Sequence, residues 1–351
     1  MKPSILVARA IFPEVLAQLQ QVFDVDHNQD DVVMTPAQLH ARMQGKAGAL
    51  TTGSERIDGP LLNACPGLKI VANMAVGYNN FDVDAMTKAG VLATNTPDVL
   101  TETTADFGFA LLMATARRVT ESEHYLRAGH WTKWSYDMFA GAEVHGSTLG
   151  IIGMGRIGQG IARRASKGFG MQVLYHNRSQ LSPEMEAECG ARWVDKATLL
   201  READHVMLVV PYSAATHHTI GARELSLMKP TATLTNIARR GIVDDEALIA
   251  ALKRGVIAAA GLDVFENEPG ATTAAFASEL AKAPGVFGTH HIGASTDQAQ
   301  QAIADENLLR YNGMLIGVFE LLADARAQVA AVSAAQEALR DFWLAQTDLD
   351  Q

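Results

Sequence analysis

Short apolar runs along the chain alternate with segments whose apolar residues recur at helical spacing. The runs at 5–8, 49–52, 68–74 and 91–95 read as strands. The segments at 13–23, 36–43, 61–64 and 83–89 read as helices. This βαβ alternation predicts a mostly parallel sheet covered by helices on both faces. Thr96-Pro97-Asp98 interrupts it, and a helix-compatible stretch follows from 101 to about 127, long enough to cross between domains. A second alternating block begins at Ser147. It has strands at 149–152, 172–175, 206–210, 233–237, 259–264 and 286–289, and helices at 156–168, 224–228 and 245–254. After Ser295 a helical pattern runs to about 322 and is expected to return to the first domain. The expected organisation is a discontinuous domain of residues 1–98 and 295–351 around a second domain of residues 99–294.

Length supports two domains, because 351 residues exceed the roughly 250–300 at which single cores split. A hydrophobic fraction of 48% supplies ample core material. The net charge of -10 and the lack of a Lys/Arg-rich run argue against a nucleic-acid partner. The two cysteines, Cys65 and Cys189, are far apart, which fits a reducing compartment and cannot by itself build a metal site. No apolar run approaches the roughly 18 residues of a membrane span, and Arg9, Pro13 and Glu14 interrupt the N-terminal run. A cytoplasmic protein without metal or membrane partner is expected.

Gly153-Met154-Gly155-Arg156-Ile157-Gly158 follows a strand and opens a helix, the context that makes G-x-G-x-x-G specific for a dinucleotide. The first glycine permits the turn, the second lets backbone approach a pyrophosphate, and the third lets helix pack on strand. The helix N-terminus, at Arg156 and Ile157, offers N–H groups and a positive dipole end. At the end of the next strand, 19 residues after Gly158, stands Asn177 rather than the acid that bonds the ribose 2′-OH of NAD. Arg178 and Ser179 follow. An amide does not repel a 2′-phosphate and an arginine pairs with it, so NADPH is expected over NADH.

Three further segments fall at strand ends: Asn236 to Asp244 around Arg239, Gly261 to Pro269 around Glu268, and Thr289 to Gly293 around His291. Ligands bind at the carboxyl ends of strands in open parallel sheets, so all three should share an edge with the glycine loop. With Ala75 to Asp82, Asn95 to Thr101 and the glycine loop, they make the sequence resemble the D-isomer-specific 2-hydroxyacid dehydrogenases. Within that family it looks most like the glyoxylate/hydroxypyruvate reductase and 2-ketogluconate reductase branch, over residues from about 45 to about 315. The resemblance implies a Rossmann cofactor domain inserted into a flavodoxin-like substrate domain, a homodimer, and reduction of a small 2-keto acid to a D-2-hydroxy acid.

The residue types suit that chemistry. Arg239 can hold the substrate carboxylate in a fixed fork at any working pH. By resemblance, backbone N–H groups of Val76 and Gly77 assist. His291 donates a proton to the carbonyl oxygen as hydride reaches the carbon, and Glu268 orients the imidazole and stabilises its charged form. Pro211, Ile237 and Asp263 match cofactor-binding positions, Asp263 near the nicotinamide amide. Trp131 and Trp134 resemble a stretch that in the family can reach the partner subunit's site, or else they anchor a core or interface. The sequence departs from the family at three places. His290 stands where proline precedes the catalytic histidine, Arg240 stands where glycine follows the catalytic arginine, and the Ala-rich tail from 323 to 351 has no family counterpart. Two other functions share the fold. Phosphite or formate dehydrogenases are one, although the phosphite enzymes carry a lysine where this chain has Ala75-Val76-Gly77. Dinucleotide-sensing corepressors are the other.

Overall fold

The computed structural model describes residues 2–269 and 275–303. The first sheet contains β1 (Ser4–Val7), β2 (Asp24–His27), β3 (Gly48–Thr51), β4 (Ile70–Asn73) and β5 (Leu92–Thr94). Its strands are all parallel in the order β2-β1-β3-β4-β5, a flavodoxin-like arrangement. Successive side chains of a strand point to opposite faces, and β1 shows the result. Leu6 packs with Leu39, Met43 and Leu61 on one face, while Ile5 and Val7 pack with Val15, Leu19 and Phe23 on the other. The covering helices are α1 (Pro13–Val22), α2 (Pro36–Met43), α3 (Gly59–Ala64) and α4 (Val83–Ala89). Their starts are set locally. Thr35 and Gln38 form a reciprocal capping box on α2, and Asp58 and Asp82 cap α3 and α4.

The long helix expected from 101 to 127 is two helices, α5 (Thr101–Ala116) and α6 (Val119–Arg127). The Ala116 carbonyl, which a continuous helix would bond internally, accepts the Ala142 N–H at 2.8 Å instead. Arg118 takes a left-handed φ of 53° at the break, and its guanidinium grips Glu121. No glycine or proline marks the site.

The second sheet has seven parallel strands: β6 (Thr148–Ile152), β7 (Gln172–His176), β8 (Ala191–Trp193), β9 (His205–Leu208), β10 (Thr233–Asn236), β11 (Ala259–Leu262) and β12 (Val286–Gly288). Their order, β12-β11-β10-β9-β6-β7-β8, is the Rossmann order extended by one strand. Around it lie α7 (Arg156–Arg163), α8 (Pro183–Cys189), α9 (Lys196–Glu202), α10 (Ala222–Leu225) and α11 (Asp245–Lys253). The expected helix 156–168 changes to a π-turn at Arg164–Gly168. The fold is thus two doubly wound parallel-sheet units. Helix α5 lies on the second: side chains of Ile237 and Ile161 fill the space beside Gly108, and Thr115 and Leu111 fill that beside Gly261.

Beyond Ser295 the chain is helical over 297–303, where Ala299 and Ile303 pack on Leu100 beside Met74 and Val76. The remainder of the segment expected to be helical to about 322, and the tail 323–351, lie outside the described residues. Among the described residues no helix is long and apolar enough to cross a membrane.

Candidate active site

Arg239 follows β10, Glu268 follows β11, His291 follows β12, and the glycine loop follows β6. All four therefore emerge at the carboxyl edge of the second sheet, where doubly wound folds bind ligands. The turns after β3 and β4 of the first sheet face them. Between the two lies a cleft of about 1000 Å³ lined by Ser54, Gly77, Asn79, Arg239, Glu268 and His291, among others. The Asn79 side chain donates to the Tyr212 carbonyl at 2.9 Å, joining the two walls at its rim.

Arg239 is aimed by the turn before it. The Asn236 side chain accepts the Ala238 N–H at 3.0 Å, and the Arg239 Nη1 donates to the Ala238 carbonyl at 2.7 Å. Burial pulls the guanidinium below its ordinary value and the nearby Glu268 carboxylate opposes that, yet arginine stays charged. The guanidinium lies against Gly77 so closely that a Cβ there would overlap it. Beside it, Asn95 donates to the Val76 carbonyl at 2.8 Å and Asn73 to the Gly77 carbonyl at 2.9 Å. With their carbonyls held, the N–H groups of Val76 and Gly77 have no partner among the described residues. Two unpaired amides and a guanidinium make a receptor for a carboxylate.

His291 Nδ1 stands 3.4 Å from Glu268 Oε2, an ion-pair distance; that oxygen is buried and has no hydrogen bond among the described residues. The histidine itself sits at a φ of 63°, a left-handed conformation that costs a side-chain-bearing residue energy. Asp263 holds it there. Its carboxylate is 2% exposed and accepts the Thr289 hydroxyl at 2.7 Å, the Ile292 N–H at 2.9 Å and the Gly293 N–H at 3.0 Å. Asp263 was expected near the nicotinamide amide; the structure commits most of its accepting capacity to the loop that carries His291. His290 is exposed and is not among the residues that line the cleft.

The glycine loop separates what the fold needs from what a ligand needs. Gly153 has a φ of 103°, and a Cβ there would meet the Val209 backbone at 2.6 Å. A Cβ on Gly158 would overlap the Gly153 carbonyl. These two glycines are required by the protein's own atoms. Gly155 is not, because a Cβ there would meet nothing within 4 Å. The open space beside Gly155 and the unsatisfied N–H groups of the first turn of α7 fit a pyrophosphate. The Asn177 side chain accepts the Met154 N–H at 2.7 Å, tying the end of β7 to the loop. Arg178 and Ser179 are exposed and have no side-chain partner among the described residues. Arg156 is ion-paired with Asp98 at 2.6 Å. Ile157 is half-buried against Leu100, Ile237 is buried against α5, and Pro211 is exposed with its carbonyl bonded to Thr216.

The sequence profile of the D-isomer specific 2-hydroxyacid dehydrogenase NAD binding domain matches residues 109–293. The chain belongs to that dehydrogenase family. It is 47% identical over 309 residues to the glyoxylate reductase of Thermococcus onnurineus, covering 87% of this chain and 90% of the relative. It is 43% identical over 312 residues to the glyoxylate/hydroxypyruvate reductase B of Klebsiella pneumoniae, covering 88% and 95%. The crystal structure of an NADPH-dependent glyoxylate/hydroxypyruvate reductase from Sinorhizobium meliloti, in complex with NADP and malonate, superposes with a TM-score of 0.78 at 33% identity, covering 90% of this chain and 94% of that one. These relatives put the dehydrogenase in the glyoxylate/hydroxypyruvate reductase branch, and it is an NAD(P)-dependent oxidoreductase.

Several residues that shape this dehydrogenase's site escaped the sequence reading. Asn73 and Asn95 fix the carboxylate-facing turn, and Asn80 anchors it by donating to the carbonyls of Thr52 and Glu55 at 3.0 and 2.9 Å. Asparagines at and just after the strand ends were the available signal. Tyr175 also escaped: its hydroxyl accepts the Leu181 N–H at 2.8 Å and donates to Glu186 at 2.7 Å, which pins the loop carrying Arg178. Burial and the Glu186 carboxylate push that phenol up to about 12.

Proposed function

We propose that the protein reduces glyoxylate and hydroxypyruvate, to glycolate and D-glycerate, with NADPH preferred over NADH. The observation that carries this reading is the convergence of Arg239, His291 and Gly77 on one cleft, with the N–H groups of Gly77 and the adjoining Val76 unpaired among the described residues. A 2-keto acid presents a carboxylate and a carbonyl side by side. Arg239 and the two amides bind the carboxylate and thereby fix where the carbonyl lies. NADPH, when bound, supplies the hydride that the keto carbon receives. His291 turns Nδ1 towards Glu268, which leaves Nε2–H to give its proton to the carbonyl oxygen. Glu268 orients the ring and balances the charge of the imidazolium before the proton leaves.

Gly153, Gly155, Arg156, Ile157 and Gly158 would hold the pyrophosphate, and Asn177, Arg178 and Ser179 the 2′-phosphate. Pro211 and Ile237 would line the nucleotide path, while Asp263 acts mainly by holding the His291 loop. In this reading residues 1–98 with 295–351 carry the substrate wall and residues 99–294 the cofactor wall. The exposed Trp131, Trp134 and Tyr136, following a helix α6 with no buried residue, suit a homodimer contact. Two buried free thiols fit the cytoplasm. The cleft also has room for longer acids such as 2-ketogluconate.

The test is consumption of reduced cofactor with glyoxylate, hydroxypyruvate, pyruvate and 2-ketogluconate, using NADPH and NADH in parallel. Turnover of the first two, faster with NADPH, is expected. Cofactor binding without turnover of any acid would favour a dinucleotide-sensing role instead.

A further inference from the structure

The cleft presents two guanidiniums where a simple monoacid needs one. Besides Arg239, its lining includes Arg240, Glu266, Glu268, His217 and His291. Glu268 faces His291 at 3.4 Å, and Glu266 Oε1 meets His218 Nε2 at 3.0 Å. Each carboxylate thus lies against a histidine, and neither forms an ion pair with a guanidinium among the described residues. His217 is stacked on His218 at 3.8 Å, and its Nδ1 is 3.3 Å from the Tyr212 hydroxyl. The two guanidiniums remain. Arg239 faces the amides of Val76 and Gly77 and is placed for the substrate carboxylate. Arg240 has neither a hydrogen bond nor an ion pair among the described residues.

Its placement in the cleft is built into the backbone. The next residue, Gly241, has a φ of 72°, and a Cβ there would meet the Tyr212 ring at 2.9 Å. The Gly241 carbonyl accepts the His218 N–H at 2.8 Å, and the Ile242 carbonyl accepts the Ile220 N–H at 3.2 Å. The turn that carries Arg240 is therefore fixed against the Tyr212–His218 segment, whose rings form the same rim. The cleft, at about 1000 Å³, extends well past the space of a three-carbon acid.

We infer that Arg240 forms a second anion subsite, and that the preferred substrates are 2-keto acids bearing another acidic group farther along the carbon chain. This inference rests on the reading of the cleft as a 2-keto acid site. The α-carboxylate goes to Arg239 and the amides, and the distal acidic group goes to Arg240, with the rim hydroxyl of Tyr212 and the His217 ring alongside. A charge-assisted contact of this kind is worth roughly tenfold or more in selectivity, less where water and salt reach it.

The test uses pairs with the same number of carbons that differ in a distal acidic group. 2-Oxoglutarate is compared with 2-oxopentanoate, and phosphorylated hydroxypyruvate with hydroxypyruvate. For each, turnover with NADPH and calorimetric binding to the NADPH-loaded protein are measured, in the wild type and in Arg240→Gln. The wild type is expected to favour at least one anionic member of a pair by roughly tenfold in KM and Kd, with added salt eroding the preference. Arg240→Gln should collapse that ratio towards one. If the carboxylate pair responds and the phosphate pair does not, the subsite is for a carboxylate, and the reverse assigns a phosphate. No preference in either pair, or a ratio unchanged by Arg240→Gln, overturns the inference. Selective binding with no turnover of any acid would uphold the subsite while rejecting the reductase reading.

Discussion

Asp263→Asn offers the sharpest perturbation of the catalytic geometry without touching the substrate. In the wild type one carboxylate oxygen accepts both the Thr289 hydroxyl and the Ile292 N–H, and the other accepts the Gly293 N–H. The variant can keep the first pair. At the third contact it points an NH₂ at an N–H, donor against donor, in a place that is 2% exposed. Losing a charge-assisted bond and leaving buried donors unpaired costs about 2–4 kcal/mol. The strained φ of 63° at His291 is then held less firmly, and the loop relaxes away from Glu268. If about half of that energy is lost from the transition state, turnover falls by roughly 5- to 30-fold, at tenfold for each 1.4 kcal/mol. Thermal unfolding should drop by about 2–4 °C per kcal/mol for a unit of this size. The assay is kcat with glyoxylate, NADPH affinity by fluorescence titration, and a thermal melt. A variant with normal kcat and melting point, or one whose only defect is NADPH affinity, would refute the argument that Asp263 works through the His291 loop.

Arg178→Asp should reverse cofactor choice, raising KM for NADPH by at least roughly tenfold and lowering it for NADH, because a carboxylate repels a 2′-phosphate; an unchanged ratio in paired kinetics would exclude Arg178. Gly155→Ala should melt like the wild type yet bind NADPH more weakly, whereas Gly158→Ala should lose stability, since only the second clashes with the chain itself. Calorimetry and binding on both variants check this contrast. Fully buried His205 bonds the Thr233 hydroxyl at 2.8 Å and the Glu143 carbonyl at 3.2 Å, and burial lowers its proton affinity despite that carbonyl and Asp204. Its folded pKa lies below the unfolded value of 6.5, so the unfolded chain binds the proton first and stability falls as pH drops below about 6.5. Asp245, pushed up to about 6 by burial and the neighbouring Glu266 and Asp244, acts in the opposite sense. A melt series from about pH 8 to 5 on the wild type and His205→Gln should therefore show the smaller acid loss in the variant.

Much of the architecture was legible because it rests on short-range rules. Buried parallel strands read as apolar runs, and β1, β4, β6 and β9 are such runs. The strands that escaped are at sheet edges. β2 reads Asp-Val-Asp-His, and β8 is only Ala-Arg-Trp. With β8 unseen, the helices α8 and α9 on either side of it went unnoticed despite capping by Ser182 and Asp195. The break between α5 and α6 depends on a carbonyl captured by Ala142, a long-range bond that no local residue signals. At the site, side-chain identity and spacing pointed to Arg239, Glu268 and His291, which the fold brings to one cleft. What the sequence could not display is which backbone amides remain unpaired, or that Asp263 is consumed in holding a loop. The role of Asp263 depends on contacts 26 to 30 residues apart.

The central claim is that His291 delivers the proton in the reduction of a 2-keto acid bound by Arg239. The most direct measurement is single-turnover oxidation of bound NADPH by saturating glyoxylate in the wild type and in His291→Gln, with NADPH affinity measured on the same samples. The account predicts a rate lower by about 100-fold or more in the variant, within the range for loss of a general acid, with NADPH binding little changed. A variant that turns over at the wild-type rate would contradict it.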